Sequence, residues 1–399
     1  MTDIQHASPF STELLQRITD GAAERDAKRE LPHALIEEIK ASRFGARRLS
    51  QEHGGGGATL VDTFDAAITL AEADPNIAHI WRNHHVAIER ILNVSSNHPL
   101  IAALRKRVVA GDLIGAANTE LNHPRIGGSD PFFSRLVRDG DGYVLNGKKF
   151  YSTGSLFSDW IYIPASLEDD TRIIVVAPRS RQGLDTVDDW YGMGQRLTGS
   201  GTTILDNVKV ASSEVLLPTD IPAKQAVFGS TIAQLFLTAV IAGVVAAVAR
   251  DGAELLGKRK RNYYYAPNPA GAQDPLLLAA LGEREADAFA ARAIVLAAAR
   301  VADETYASLH RQDPEVNDHL QAAAAAAAKA KLTVDRIAHN AATALFDIAG
   351  ASATLANLNL DRHWRNIRTI STHNHSSHKA YALGNRSVNS VPLPSQGFF

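Results

Sequence analysis

The chain of 399 residues has no cysteine. That absence excludes disulfides, thiolate metal sites and a cysteine nucleophile, and it suits the reducing cytoplasm in which we expect the protein. Charge of one sign is also lacking. With 41 basic and 43 acidic residues the net charge is −2, so neither nucleic acid nor an anionic membrane is implied as a partner. Met1–Ser11 is polar, without a charged start before an apolar core, so no signal peptide is read there. The longest apolar run, Leu235–Ala249, is shorter than the ~20 residues that span a bilayer and reads as a buried helix. No Gly-x-Gly-x-x-Gly follows a strand, so no NAD(P)H site is expected. Gly54–Gly57 has neither a strand before it nor Lys-Ser/Thr after it, and reads as a loop between helices. Acids are scarce towards the C-terminus: the last Glu is Glu315 and the last Asp is Asp361.

What is present falls into three textures. Residues 12–110 place Leu14, Leu15 and Ile18, then Leu35, Ile36 and Ile39, at helical spacing. Residues 114–210 carry short β-rich runs with Asp-Gly and Asn-Gly turns, which predicts an antiparallel β domain. Residues 276–308 and 320–349 are Ala-rich helices. The small side chain of Ala322–Ala328 allows close helix packing in a four-helix-type bundle. The expected division is a helical domain over 1–113, a β domain over 114–214 and a helical bundle over 215–399.

Two stretches carry candidate chemistry. Gly147–Trp160 (GKKFYSTGSLFSDW) reads as the return strand of a hairpin turned at Asn146-Gly147. It ends in exposed hydroxyls and a glycine that would let a flat ligand approach. Ile77–Val86 reads as a helix with unusual polar content. His84 and His85 point to different faces of it, a poor arrangement for two metal ligands. His373, His375 and His378 also do not share one helical face and have no carboxylate nearby in sequence, so no metal is expected.

In this order, the motifs Ala117–Glu120, Gly128–Asp130, Tyr151–Gly154, Gly192–Arg196, Gly199–Gly201 and Phe346–Gly350 resemble the acyl-CoA dehydrogenase superfamily. Gly147–Trp160, Asp188–Arg196, Gly350–Leu355 and Asn359–Thr369 are similar to its flavin-monooxygenase branch, which includes the dibenzothiophene monooxygenases and sulfur-acquisition oxidoreductases. The resemblance implies an α+β multidomain fold: an N-terminal helical domain, a middle antiparallel β domain and a C-terminal four-helix bundle. It also implies a homotetramer that uses reduced FMN (FAD being the other possibility) from a separate NAD(P)H:flavin reductase. The substrate would be a small organosulfur compound, oxidised through a flavin C4a-hydroperoxide. The alternatives left open are an FAD-dependent acyl-CoA dehydrogenase and a non-catalytic flavin-binding member of the fold.

The resemblance also implies residue roles. His373, Ser152 and His84 would be catalytic. Asn118, Thr119, Ser129, Tyr151, Ser152, Thr153, Arg259, Arg261, Gly350, Ala351 and Arg365 would hold the cofactor. Trp81, His84, His85, Phe157, Trp190 and Phe236 would face the substrate. A dehydrogenase needs a carboxylate base beside the flavin. Both places that usually supply it, Phe228–Val248 and the C-terminal loop, contain no acid here. The loop instead reads Thr372-His373-Asn374-His375, departing from the Asp-Pro that usually follows the matching histidine.

Overall fold

The structure, a computed structural model, describes residues 8–123, 125–397 and 399; the start of the Met1–Ser11 reading lies outside them. The chain opens on α1 (Thr12–Lys28), where the Ser11 side chain accepts from the Leu14 N–H and so satisfies an end donor. After α2 (His33–Ala41), a capping box of Thr59 and Asp62 starts α3 (Leu60–Ala73). Asp74 then caps α4 (Pro75–Ile80), with Pro75 in its first turn. The expected single helix over 77–86 is two short ones. The chain breaks at Trp81, and α5 (Arg82–Ala87) runs on into a π-turn at Ile88–Leu92. The α6 helix (Pro99–Ala110) closes this part on Gly111.

The strands are β1 (Ile114–Ala116), β2 (Arg135–Asp139), β3 (Gly142–Lys149), β4 (Trp160–Ser166), β5 (Arg172–Pro178), β6 (Leu184–Thr186), β7 (Thr203–Val210) and β8 (Val215–Leu216). Among the described residues they form one sheet ordered β6-β7-β3-β2-β4-β5-β8, with β1 on β4. The sheet is mixed rather than wholly antiparallel, because β4 runs parallel to both β1 and β2. A second correction concerns Asn146-Gly147. The hairpin turns at Gly140-Asp141, and Asn146-Gly147 is a bulge inside β3, where the register against β7 shifts. Glycine is required at 147 because a Cβ there would lie 2.6 Å from Ser134 Cβ and 2.8 Å from Ser134 Cα.

The long helices α7 (Ala223–Lys258), α8 (Pro275–Arg311) and α9 (Val316–Ala349) pack on one another, and α3 packs on α7 and α8. The apolar stretch of α7 is long enough to cross a membrane, but 94% of it is buried, at the centre of the main hydrophobic core. Two shorter helices, α10 (Arg362–Ser371) and α11 (Ser376–Asn389), lie on α7 and α9 respectively.

Candidate functional site

The loop over residues 190–201 is a junction between elements distant in sequence. Gln195, in the left-handed region at φ 53, receives on its N–H the Asn366 Oδ1 of α10 at 2.7 Å. Its Oε1 lies 2.8 Å from His79 Nδ1 of α4, and its carbonyl accepts from Trp190 Nε1 at 2.8 Å. The Leu197 N–H reaches Asn76 Oδ1 at 3.2 Å. Below this loop, the segment that follows β3 is tied in by Ser152 N–H to Gly201 O (3.1 Å) and Gly154 N–H to Thr198 O (2.9 Å). Asn83 of α5 donates to Thr153 O at 2.8 Å.

The hydroxyls of that segment are buried, not exposed as its composition suggested. Ser152 Oγ accepts from Thr203 Oγ1 at 2.8 Å, which leaves its own O–H available to donate. Thr153 Oγ1 pairs with Ser200 Oγ at 2.7 Å, and Ser155 Oγ donates to Ala116 O. The cause is the packing of α4 on the loop: at Gly154 (φ 83) a Cβ would stand 2.6 Å from Ile80 O. Gly154→Ala is therefore expected to lower stability by about 3 kcal/mol, from backbone strain and a backbone clash together. Thermal unfolding of the variant checks this, and an unchanged midpoint contradicts the packing. Tyr151 is the residue of the segment that faces outward. It is 50% exposed, with φ 54, and stands edge-on to Trp190 at 5.9 Å.

The turn between α10 and α11 brings His373 to the same region. Its neighbour Asn374 donates to Gln234 Oε1 of α7, and α7 also supplies Ala233 O to Arg82 Nε at 2.9 Å. His373 is accessible yet hemmed in by protein. Desolvation pushes its imidazole well below the ordinary value, and Arg82, His79, Lys331 and Lys379 act in the same direction. No carboxylate is among these influences. Asp335 is held by Lys331 Nζ at 2.7 Å and Ser376 Oγ at 2.9 Å.

Several expected site residues have other occupations. His84 Nε2 lies 3.0 Å from Gly45 O, and its Nδ1 accepts from the Ile114 N–H at 3.0 Å. Both ring nitrogens thus latch backbone, and burial lowers the group to about 4, so it stays neutral. His85 stacks on Phe236 at 5.5 Å with neither ring nitrogen bonded. Trp81, Phe157 and Phe236, expected to face substrate, are packed in the core cluster: the Trp81 indole meets Phe44, Phe157 meets His33, and Phe236 meets Phe64 and His85. Arg365, expected at the cofactor, instead binds Asp361, Asp26, Asn359 and Met193 O, which uses all three of its nitrogens as structural ties.

The remaining cofactor candidates form two groups. Thr119 bridges Phe150, placing Asn118 and Thr119 beside Tyr151, whereas Ser129 is on an exposed loop. Arg259 donates to Ile348 O at 3.1 Å and lies against Gly350, next to Ala351, and Arg261 is exposed beside them. Sequence reasoning did not single out His79, Arg82, Gln195 or Gln234. Their signal was polarity inside apolar surroundings. Among the described residues no group of three or more His, Asp or Glu is placed to hold a metal.

Unbonded, buried polar atoms at His79 Nε2 and Gln195 Nε2 fit a planar heteroaromatic group rich in hydrogen-bonding edges. Comparison with known proteins gives the following. The family described as acyl-CoA dehydrogenase, C-terminal domain, matches residues 235–378. A probable FMNH2-dependent monooxygenase, SfnC, of Pseudomonas putida is 28% identical over 400 residues, 98% of this chain and 96% of the relative. A dibenzothiophene monooxygenase of Rhodococcus erythropolis is 27% identical over 386 residues, 94% and 91% of the two chains. Among solved structures, methanesulfinate monooxygenase MsuC of Pseudomonas fluorescens has a TM-score of 0.85 at 26% identity, covering 97% of this chain and 98% of that one.

Proposed function

We infer the activity of this chain from the group to which it belongs, the flavin-dependent monooxygenase branch of the acyl-CoA dehydrogenase fold. It is a reduced-FMN-dependent monooxygenase that oxidises a small organosulfur compound. The observation that carries this reading is that neither Phe228–Val248 nor the chain after Asp361 offers an acid to abstract a proton, while His373 is held neutral by burial and by Arg82, His79, Lys331 and Lys379. Bound reduced FMN supplies two electrons and two protons, so that one atom of O2 passes to sulfur and the other leaves as water.

The chain's own residues then have distinct tasks. His79, Gln195, Tyr151 and the Ser152 hydroxyl hold and orient the flavin ring. With the flavin bound, neutral His373 would donate a hydrogen bond on the substrate side and hold a proton at its ring nitrogen for the departing oxygen. Arg259 and Arg261 serve the phosphate, in a homotetramer that brings them to a neighbouring subunit's cofactor. A separate NAD(P)H:flavin reductase delivers the reduced FMN, and the setting is the cytoplasm.

The test supplies the protein with reduced FMN and isotopically labelled O2 in the presence of a panel of sulfides, sulfones and sulfinates. One labelled oxygen per product molecule is expected. Acyl-CoA-dependent bleaching of bound flavin, or peroxide as the sole oxygen product with every compound, overturns the reading.

A further inference from the structure

Among the described residues, Arg82 is a buried cation that no acid balances. It opens α5 at the break after α4 and is 8% exposed. Its Nε donates to Ala233 O of α7 at 2.9 Å, and among those residues its two terminal nitrogens form no hydrogen bond or ion pair. Arg48, Arg362 and Arg365, by contrast, are each paired with a carboxylate. Burial lowers Arg82 to about 10, with the like charge of Arg90 acting the same way, so the group remains a cation at neutral pH. A buried charge without a partner is costly, and a fold keeps one where something bound to it neutralises it.

The place of Arg82 narrows what that something is. Three residues earlier, His79 is buried with Nε2 unbonded. Gln195, which meets the His79 Nδ1 at 2.8 Å, is also buried with Nε2 unbonded. These edges fit the flavin ring. The Arg82 charge is felt at both His79 and His373, so it lies within the same site. The FMN phosphate is charged in every redox state and falls to Arg259 and Arg261. The ring is different. Oxidised FMN has a neutral ring, whereas two electrons and one proton (FMN + 2 e⁻ + H⁺ giving FMNH⁻) leave a negative charge shared by N1 and the C2 carbonyl oxygen. Two acceptors side by side suit the fork of a guanidinium group.

We propose that Arg82 is the residue that selects the redox state of the cofactor: it holds reduced FMN as the ring anion and leaves oxidised FMN the weaker ligand. This rests on the reduced-FMN reading above and adds the residue that enforces it. With the reduced ring in place the guanidinium is neutralised. With the oxidised ring it stays buried and unpaired, and that difference favours exchange of spent cofactor for fresh. The N1 proton passes to solvent on binding and is taken up again when water forms, so the overall balance of the reaction is unchanged.

The experiment measures binding of FMN to the full chain and needs no turnover. Oxidised FMN is titrated in air and dithionite-reduced FMN under anaerobic conditions, both by calorimetry. Wild type is expected to bind the reduced form about 10- to 100-fold more tightly, the range for hydrogen bonds to a charged group. That ratio corresponds to a two-electron potential about 30–60 mV above that of free FMN, at about 30 mV per tenfold. R82Q is expected to lose the preference while binding oxidised FMN as wild type does, and R82K to keep part of it. At mildly acidic pH, where free reduced FMN is mostly protonated, the bound cofactor should show the absorbance of the ring anion in wild type and of the neutral ring in R82Q. Equal binding of both forms by wild type, or a neutral ring in its bound reduced FMN, overturns the proposal and involves no variant. So does an R82Q protein that weakens both forms alike, the mark of a purely structural role. If reduced FMN is preferred through Arg82 but no oxygen reaches any sulfur compound, the selection stands and the monooxygenase reading fails. If oxygen is transferred while both forms bind equally, the monooxygenase reading stands and the selection fails.

Discussion

His373→Ala is expected to lower product formation by about 10²- to 10⁴-fold, the usual contribution of a positioned proton donor. Consumption of reduced FMN should continue, with its electrons appearing as hydrogen peroxide. The checking measurement is the ratio of oxidised product to peroxide, per reduced FMN consumed. A variant that keeps the wild-type ratio removes His373 from the chemistry. A second readout is the pH profile. Desolvation first, then the neighbouring Arg82, His79, Lys331 and Lys379, disfavour the imidazolium, so the ring acquires its charge only well below the ordinary histidine range. The product ratio should therefore show no histidine inflection across about pH 6 to 8. The same neutrality suits a group that must first donate a hydrogen bond and later give up a proton.

Lys149→Met is expected to destabilise the fold by about 3–5 kcal/mol, the cost of leaving a buried charge without its partner. Lys149 is fully buried on β3 and donates to Glu120 Oε1 at 2.7 Å. Glu120 also accepts from Ser134 N–H and Oγ, at 2.8 and 2.6 Å, and from Phe133 N–H at 2.7 Å. It thereby anchors the far side of the loop that begins at Asn118 and Thr119. Burial by itself raises the Glu120 pKa, but the hydrogen bonds from Lys149 and Ser134 outweigh it and bring the group down to about 2. A carboxylate with a lowered folded-state value stabilises the fold above its unfolded value. That stability is lost as pH falls through roughly 4 towards 2. Chemical denaturation across this window should show the loss in wild type and not in E120Q, which starts from a lower plateau. A parallel decline in both proteins removes Glu120 as the origin.

Periodicity and composition made the helical parts and the sheet readable. Leu14, Ile18, Ile36 and Ile39 fall on buried faces, and most of Ala322–Ala328 lies buried in α9, where small side chains let helices approach. Local signals failed where tertiary contacts decide. Asn146-Gly147 has the composition of a turn, yet β7 and Ser134 hold it inside a strand. Ser152 and Thr153 look like surface residues until α4, α5 and the 190–201 loop cover them. His373 was readable as a candidate from its chain neighbourhood and a family pattern, and the fold brings it to the region of Arg82 and His79. Arg82 and His79 were not, because only the folded chain shows that they are buried and, among the described residues, that Arg82 is not paired with an acid.

The 190–201 loop also sets an order of events during synthesis. Its geometry depends on Asn366 Oδ1 at the Gln195 N–H, and on α1, where Arg29 binds Asp188 and the Asp26 carbonyl receives Arg196. Asp26 in turn receives Arg365 at 2.8 Å. Residues on either side of the sheet, α1 and α10, thus have to be present together before the loop is held. The clasp that α1 and α10 close around the 190–201 loop therefore forms only once α10 has been synthesised, long after α1 and the sheet.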